Sequence, residues 1–126
     1  MKYLAQYMEE KQTLAFEKYG AFFAFDNKQL KEEAVKGVEY MNMGGGMVAP
    51  INNCKALHEE LDKIYKESIK QDISENGLEQ IILRELNNHE AYYTGDTGST
   101  IEALSSYPIT VDNIEKLFNN KNYKIK

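Results

Sequence analysis

Apolar side chains recur at spacings of three and four across residues 3–18, and this pattern predicts a helix. The stripe consists of Leu4, Tyr7, Met8, Leu14 and Ala15. Gly20 interrupts the pattern, and the continuous apolar run Ala21–Phe25 follows it. Because this run is short, rich in aromatic residues and bounded by glycine, it predicts a strand that is buried on both faces.

A helix and two further strands are predicted to follow. Asp26 and Gln29 have the three-residue spacing of a capping box, which is typical of a helix N-terminus. Residues 38–41 alternate between apolar and polar side chains and predict a second strand, and residues 47–49 predict a third. Three glycines at residues 44–46 separate these two strands. We expect them either to turn the chain or to let two backbones approach closely.

The second half of the chain carries the spacing of several helices. Cys54–Ser68 places an apolar face at helical spacing, and shorter patterns of the same kind continue to Phe118. The residues predicted to cap these helices are Asn52, Asn76 with Glu79, Ser99 with Glu102, and Thr110. Together the elements predict an α+β fold, in which a small antiparallel sheet of about three strands is covered by five or six helices. We expect a single domain over residues 1–126, with an N-terminal helix at 1–18 and a basic tail at 119–126.

Two polar residues interrupt the apolar side of one of these helices. On a helix from Leu78 to Tyr93, Glu85 and His89 lie one turn apart in the middle of that side. Its apolar members are Leu78, Ile81, Ile82, Leu86, Tyr92 and Tyr93. Polar groups buried in such a place must satisfy each other or find other partners.

Three interpretations of this pair stay open. The first is structural: a buried hydrogen bond between Glu85 and His89, or a helix that ends near Asn87 and leaves the histidine free. The second is chemical, with Glu85, His89, Glu90 and Asp96 around a pocket as general base or metal ligands, although no second histidine completes a zinc-protease motif. The third is a polar site that recognises a partner or a ligand without chemistry. No catalytic residue, metal ligand or cofactor is therefore assigned.

Three other features carry weaker indications of chemistry. Cys54 and His58 lie one helical turn apart, but no further motif accompanies them, and a core cysteine beside a surface histidine is the favoured interpretation. The loop Thr94–Thr100 leads into a helix N-terminus, where N–H groups can bind an anion. Because this loop carries its own carboxylate and no lysine, a plain capped turn is favoured. Tyr92 and Tyr93 are candidates for anchoring a partner or stacking on a base.

Composition limits the kinds of partner. Among 126 residues the chain has 20 acidic and 15 basic side chains, a net charge of −5 and one arginine, Arg84. Phosphate contacts need clustered Lys and Arg, so direct nucleic-acid binding is not expected, whereas an acidic surface suits a basic partner such as the nucleic-acid channel of another protein. The single cysteine excludes an internal disulfide and favours a reducing cytoplasm. No apolar stretch approaches the roughly 20 residues that a membrane helix needs, so no membrane partner is expected.

A resemblance to a known family is carried by Phe22–Phe25 with the glutamine-containing helix after it, Gly45–Met47 with Pro50, and the block Arg84–Asp96. With these segments the chain resembles a family of small uncharacterised proteins encoded by phages, prophages and mobile elements of low-GC and gut bacteria. The resemblance spans residues 16–118, and the block is its most specific part. It implies the cytoplasm of a bacterial host and no known activity, and it points to residues 85–96 as the functional segment.

One function is preferred, with two alternatives. The preferred function is binding: a mobile-element protein that inhibits a host defence system, as anti-CRISPR proteins do, by docking on a host protein that itself binds nucleic acid. The first alternative is a small-molecule site at Glu85, His89 and Asp96, either a metal-dependent hydrolase or a sponge for a nucleotide signal. The second is a phage accessory protein that forms homo-oligomers. The candidate binding residues are Glu85, Asn88, His89, Glu90, Tyr92, Tyr93, Thr94 and Asp96.

Overall fold

A computed structural model of the chain describes residues 1–120, and it has the α+β fold that the sequence predicts. Residues 121–126, most of the predicted basic tail, lie outside the described residues. The helices in residues 1–120 are α1 (Leu4–Tyr19), α2 (Asn27–Glu33), α3 (Cys54–Asn76), α4 (Leu78–Asn88), α5 (Ala91–Thr94), α6 (Gly98–Ala103) and α7 (Val111–Asn119). The strands are β1 (Phe22–Phe23), β2 (Tyr40–Gly44) and β3 (Met47–Pro50), and a 3₁₀ turn spans Ile51–Asn53.

The chain divides into two compact units. The N-terminal unit is Ala5–Ser68, and the C-terminal unit combines Met1–Leu4 with the residues from Ile69 onward. Helix α3 contributes residues to both units. The expectation of one domain over the whole chain stays a prediction.

The sheet belongs to the N-terminal unit. Its strand order is β1-β3-β2, and both pairings are antiparallel, with Phe22 opposite Val48 and Met41 opposite Ala49. Glycines 44–46 turn β2 into β3 with φ angles of 100°, 62° and 84°, a backbone region that residues with a Cβ rarely adopt. The predicted turn is therefore confirmed. The core of this unit consists of Ala15, Ala49, Cys54, Leu57 and Ile64.

The prediction that the aromatic run is buried on both faces is wrong. Strand β1 lies at the edge of the sheet and pairs with β3 alone. Phe23 is 49% exposed and Phe25 is 74% exposed, and their rings stack with centroids 6.4 Å apart. A Cβ at Gly46 would overlap the Phe25 ring, so this glycine lets the ring lie against the β2–β3 turn.

Helix α4 is the centre of the C-terminal unit. It contacts α5, α6 and α7, and it buries Ile81, Ile82 and Leu86 at the spacing that the sequence predicts. The fully buried apolar side chains of this unit are Ile81, Leu86, Ala91, Leu104 and Ile114.

Two of the predicted helix caps are confirmed and three are wrong. Asp26 accepts a hydrogen bond from the Gln29 N–H, and Thr110 forms a reciprocal capping box. Asn76 does not cap α4, because its amide donates to Asp72 and the chain enters α4 through Gly77 at φ 77°. Helix α6 starts at Gly98, one residue before the predicted cap Ser99, and Asn52 lies inside the 3₁₀ turn.

Candidate functional site

Helix α4 ends at Asn88, so the continuous helix to Tyr93 is wrong and the alternative of a helix that ends near Asn87 is confirmed. The His89 N–H donates to the Glu85 carbonyl, 3.0 Å away, but Glu90 then adopts φ 54° and ψ 32°. It is the one residue other than glycine in residues 1–120 with a positive φ. A left-handed residue breaks the ladder of helical hydrogen bonds, and the chain restarts as α5 with Ala91 in the core. This break raises the number of helices above the five or six expected.

Below the break lies a buried ion pair that the sequence does not predict. Asp72, at the end of α3, is 0% exposed, and Arg84 on α4 is 7% exposed. Two parallel hydrogen bonds join them, Arg84 Nη1 to Asp72 Oδ1 at 2.8 Å and Nη2 to Oδ2 at 2.9 Å. A two-pronged contact of this kind is among the strongest that a carboxylate makes in a protein. The only arginine of the chain therefore has a structural position and is not available to bind phosphate.

Two further side chains donate hydrogen bonds to the Asp72 carboxylate. The Tyr107 hydroxyl donates to Oδ2 at 2.5 Å and the Asn76 amide donates to Oδ1 at 2.8 Å. Burial raises the pKa of Asp72, but the hydrogen bonds from Arg84, Tyr107 and Asn76 and the charge of Arg84 outweigh it, and the pKa lies below 3.8. Burial and the bond to the carboxylate both raise the pKa of Tyr107 above its usual value. The aspartate is therefore ionised and the tyrosine protonated at neutral pH.

Arg84 also connects this pair to the predicted Glu85–His89 pair. Its Nε donates to Glu85 Oε1 at 2.9 Å, and Glu85 Oε2 lies 3.4 Å from His89 Nε2. Glu85 is 8% exposed, while the His89 side chain is 29% exposed. The sequence thus placed Glu85 and His89 together correctly. Both carboxylate oxygens of Glu85 have protein partners, so the geometry favours the structural interpretation of this pair over a general base.

Several predicted site residues form an exposed group on the outside of the break. Asn88, Glu90, Tyr93, Thr94 and Asp96 are all exposed, and we call these five residues the exposed arc. Tyr93 is 92% exposed, more than any other large apolar or aromatic residue in residues 1–120.

The neighbouring Tyr92 has a different role. It is half-buried, with its ring centroid 5.3 Å from that of Phe118, and burial raises the pKa of its hydroxyl. Of the two adjacent tyrosines, Tyr92 therefore holds the segment against α7, and Tyr93 presents its ring to solvent.

The Asp96 carboxylate accepts a hydrogen bond within the loop that leads into α6. Asp96 Oδ1 accepts the Gly98 N–H at 2.8 Å, and the Asp96 N–H donates to Thr94 Oγ1 at 3.1 Å. Because the side chain of Asp96 occupies one of the N–H groups that an anion would use, the geometry favours the capped turn over a phosphate site. Within residues 1–120, no group of three or more His, Cys, Asp and Glu side chains is arranged to hold a metal ion.

Cys54 and His58 do not form a site. Cys54 is buried, and its thiol donates to the carbonyl oxygens of Ala49 and Pro50 at 3.6 and 3.4 Å. His58 is exposed one turn further along α3. This is the core cysteine and surface histidine that the sequence favours.

Negative charge is concentrated in one segment of the C-terminal unit. The segment 71–115 contains nine Asp and Glu residues and no lysine, and its one basic residue is the buried Arg84. Two of the nine, Asp72 and Glu85, are buried against that arginine. The other seven are exposed or half-buried, namely Glu75, Glu79, Glu90, Asp96, Glu102, Asp112 and Glu115. Apart from the half-buried His89, the charged side chains that this segment exposes are therefore carboxylates.

The comparisons with known proteins give a family and no activity. A family model described as a family of unknown function (DUF7659) matches residues 4–124. No curated protein and no solved structure matches the chain. None of the helices in residues 1–120 has both the length and the apolar character needed to cross a bilayer. The resemblance to an uncharacterised family is confirmed, while a phage origin stays a prediction.

Proposed function

The chain belongs to this family of unknown function, and we propose that it acts by binding a basic protein through the exposed arc and the anionic surface around it. In the mobile-element setting that the sequence resemblance implies, the partner is a host defence protein whose own ligand is nucleic acid. The protein then inhibits by presenting carboxylates where that partner expects phosphates.

The observation that carries the proposal is the position of Tyr93. Its side chain is almost fully in solvent, and Glu90 and Asp96 lie three residues to either side of it in the same exposed segment. Tyrosine is enriched among the residues that dominate binding energy at protein interfaces, because one rigid side chain supplies both a large apolar area and a hydroxyl. A fully exposed tyrosine between two carboxylates suits a partner that offers an apolar pocket with a cationic rim.

The backbone of the arc is also anchored to the core of the C-terminal unit. Glu90 is left-handed, which costs about 1–3 kcal/mol for a residue with a Cβ and persists only where the surroundings enforce it. Ala91 and Tyr92, next to it, are anchored against the core and against Phe118. A surface fixed in this way loses less conformational entropy on binding than a flexible loop.

The charge of the surface decides the class of partner. DNA and RNA are polyanions, and an anionic surface repels them. A protein with a basic channel is attracted to the same surface at long range, and the attraction weakens as salt screens it.

The competing small-molecule site has less support from the geometry. A general base at Glu85 needs a free oxygen, but Arg84 and His89 engage the two oxygens of this buried carboxylate. Asp96, the third member of that hypothesis, accepts the N–H of Gly98 within its own loop.

The test uses the immobilised protein as bait in a bacterial lysate at low and high salt. We expect the wild type to retain a basic protein at low salt, and Tyr93→Ala and a Glu90→Gln/Asp96→Asn double variant to lose that same protein. Phe25→Ala is the matched control, since it also removes an exposed aromatic ring, 74% exposed, but from the N-terminal unit. Retention of the same protein by Tyr93→Ala, or no retained protein at low salt, would contradict the proposal.

A further inference from the structure

The C-terminal unit has a second surface feature, an apolar groove between α4 and α7. Its volume is about 340 Å³. Ile82 is buried at its floor, half-buried Leu78, Ile109 and Leu117 form its sides, and Glu79 and Lys116 lie at its rim. None of the exposed-arc residues lines it.

Two apolar side chains of the groove have the spacing that a helix-binding site uses. Leu78 and Ile82 are four residues apart on α4, which places them one turn, about 6 Å, apart along the helix axis. Such a length accommodates two apolar side chains that are themselves one turn apart on a partner helix. Recognition of an amphipathic helix by an apolar groove uses this spacing.

The charged residues around the groove indicate the sign of the charge on the element that binds there. Among residues 1–120, one cation lines the groove: Lys116, whose Nζ lies 3.2 Å from Asp112 Oδ2, so a carboxylate of the same helix offsets its charge. The segment 71–115, which supplies α4 and the first part of α7, has no lysine and no exposed arginine. Two carboxylates, Glu79 and Asp112, thus stand against the single cation Lys116, and an occupant with a positive polar face complements this excess.

We propose that this groove binds an amphipathic helix of the partner that carries apolar side chains on one face and lysine or arginine on the other. The proposal rests on the proposed function for the sign of the partner's charge. It adds a second contact region, distinct from the exposed arc, and the chemistry of the element that fills it.

The probe for the test is a fluorescently labelled 18-residue peptide of leucine and lysine, with the leucines on one helical face. A peptide of the same composition in scrambled order keeps the charge and loses the apolar face. We expect fluorescence anisotropy to give at least tenfold weaker binding for the scrambled peptide, and at least tenfold weaker binding of the original peptide to Leu78→Ser. The control Val111→Ser changes an exposed apolar residue at the start of α7 outside the groove, and it should bind as the wild type does.

A surface variant keeps the test independent of folding. Lys116→Glu removes the rim cation without touching the core, so we expect about threefold tighter binding of the leucine–lysine peptide even if Leu78→Ser proves unstable. Equal binding of both peptides, no binding of either, or weaker binding to Lys116→Glu would overturn the groove proposal.

The groove proposal and the exposed-arc proposal can be refuted independently of each other. Tyr93→Ala should leave peptide binding unchanged, because Tyr93 does not line the groove. If the lysate partner is lost in Tyr93→Ala and fully retained in Leu78→Ser, the arc proposal stands and the groove proposal is wrong.

Discussion

Replacing Asp72 by asparagine is the most informative perturbation of the fold. The substitution conserves shape but removes the negative charge that faces the buried guanidinium of Arg84, and it replaces one acceptor oxygen by an NH₂ group. Three residues donate hydrogen bonds to the carboxylate oxygens, namely Arg84, Tyr107 and Asn76. In the variant, at least one of these donors faces the new NH₂ group, which is itself a donor.

The expected loss follows from the burial of the pair. Removing one partner of a buried ion pair leaves an uncompensated charge and typically costs about 3–5 kcal/mol, whereas surface substitutions change stability by about 0.5 kcal/mol or less. Asp72 is 0% exposed, so the full penalty should apply. In urea unfolding, with a slope of about 1–3 kcal/mol per molar, Asp72→Asn should lower the midpoint by at least about 1 M.

The control is Asp112→Asn, which neutralises an exposed carboxylate paired with Lys116 in the same unit. We expect its midpoint to fall by much less than that of Asp72→Asn, because an exposed ion pair contributes little to stability. A Asp72→Leu/Arg84→Met double variant should be more stable than the sum of its two single variants implies, because removing both charges leaves less charge buried without a partner. A loss below 1 kcal/mol for Asp72→Asn, with the urea slope unchanged, would refute the argument that this ion pair holds the unit together.

Three further predictions concern the same unit. Tyr107→Phe removes a hydrogen bond to a buried carboxylate and should cost about 1.5–3 kcal/mol in urea unfolding; a cost equal to that of Asp112→Asn would contradict this. Glu90→Gly relieves a left-handed residue and should raise the free energy of unfolding by up to about 1 kcal/mol, because the relief exceeds the extra entropy that glycine gives the unfolded chain; a free energy of unfolding below that of the wild type would contradict this. Because the pKa of Asp72 is lower folded than its ordinary 3.8, its stabilising contribution is present above pH 3.8 and is lost as the pH falls through the lowered value. Urea midpoints measured between pH 5 and pH 2 should therefore fall less steeply for Asp72→Asn than for the wild type, and parallel curves would contradict the assignment.

Local features of the fold could be predicted from the sequence because they depend on neighbouring residues. The stripe of Ile81, Ile82 and Leu86 sets a helix, the three glycines set the hairpin turn, and Asp26 and Thr110 cap helices with their own side chains. Asn76 is also a residue type that caps helices, but its amide donates a hydrogen bond to the buried carboxylate of Asp72 instead. The sequence alone does not show that this partner is near.

Long-range features could not be predicted. Asp72 meets a guanidinium 12 residues away and a hydroxyl 35 residues away, and no periodicity encodes such a meeting. One signal was present: Asp72 continues the helical spacing of Cys54, Ile64 and Ser68 and therefore points to a charge on a buried face. The edge position of the aromatic strand was likewise hidden, because hydrophobicity does not record which neighbours a strand has.

Part of the candidate site was predicted for the right reason. The clash between two polar residues and an apolar stripe pointed to Glu85 and His89, and these side chains do lie together. The sequence offered a helix end near Asn87 as one interpretation but could not decide for it, since Glu90 has no intrinsic preference for a left-handed backbone. That break separates the buried charges from the exposed arc.

The central claim, that the arc around Tyr93 contacts a basic protein, is tested most directly by crosslinking in a bacterial host. Tyr93→p-benzoylphenylalanine places a photoreactive group at the tip of the arc, and Phe25→p-benzoylphenylalanine places it on the exposed ring of the other unit. The account predicts that irradiation joins the protein to one basic partner from position 93 and not from position 25. An adduct with the same partner from position 25 alone, or no adduct from position 93, would contradict it.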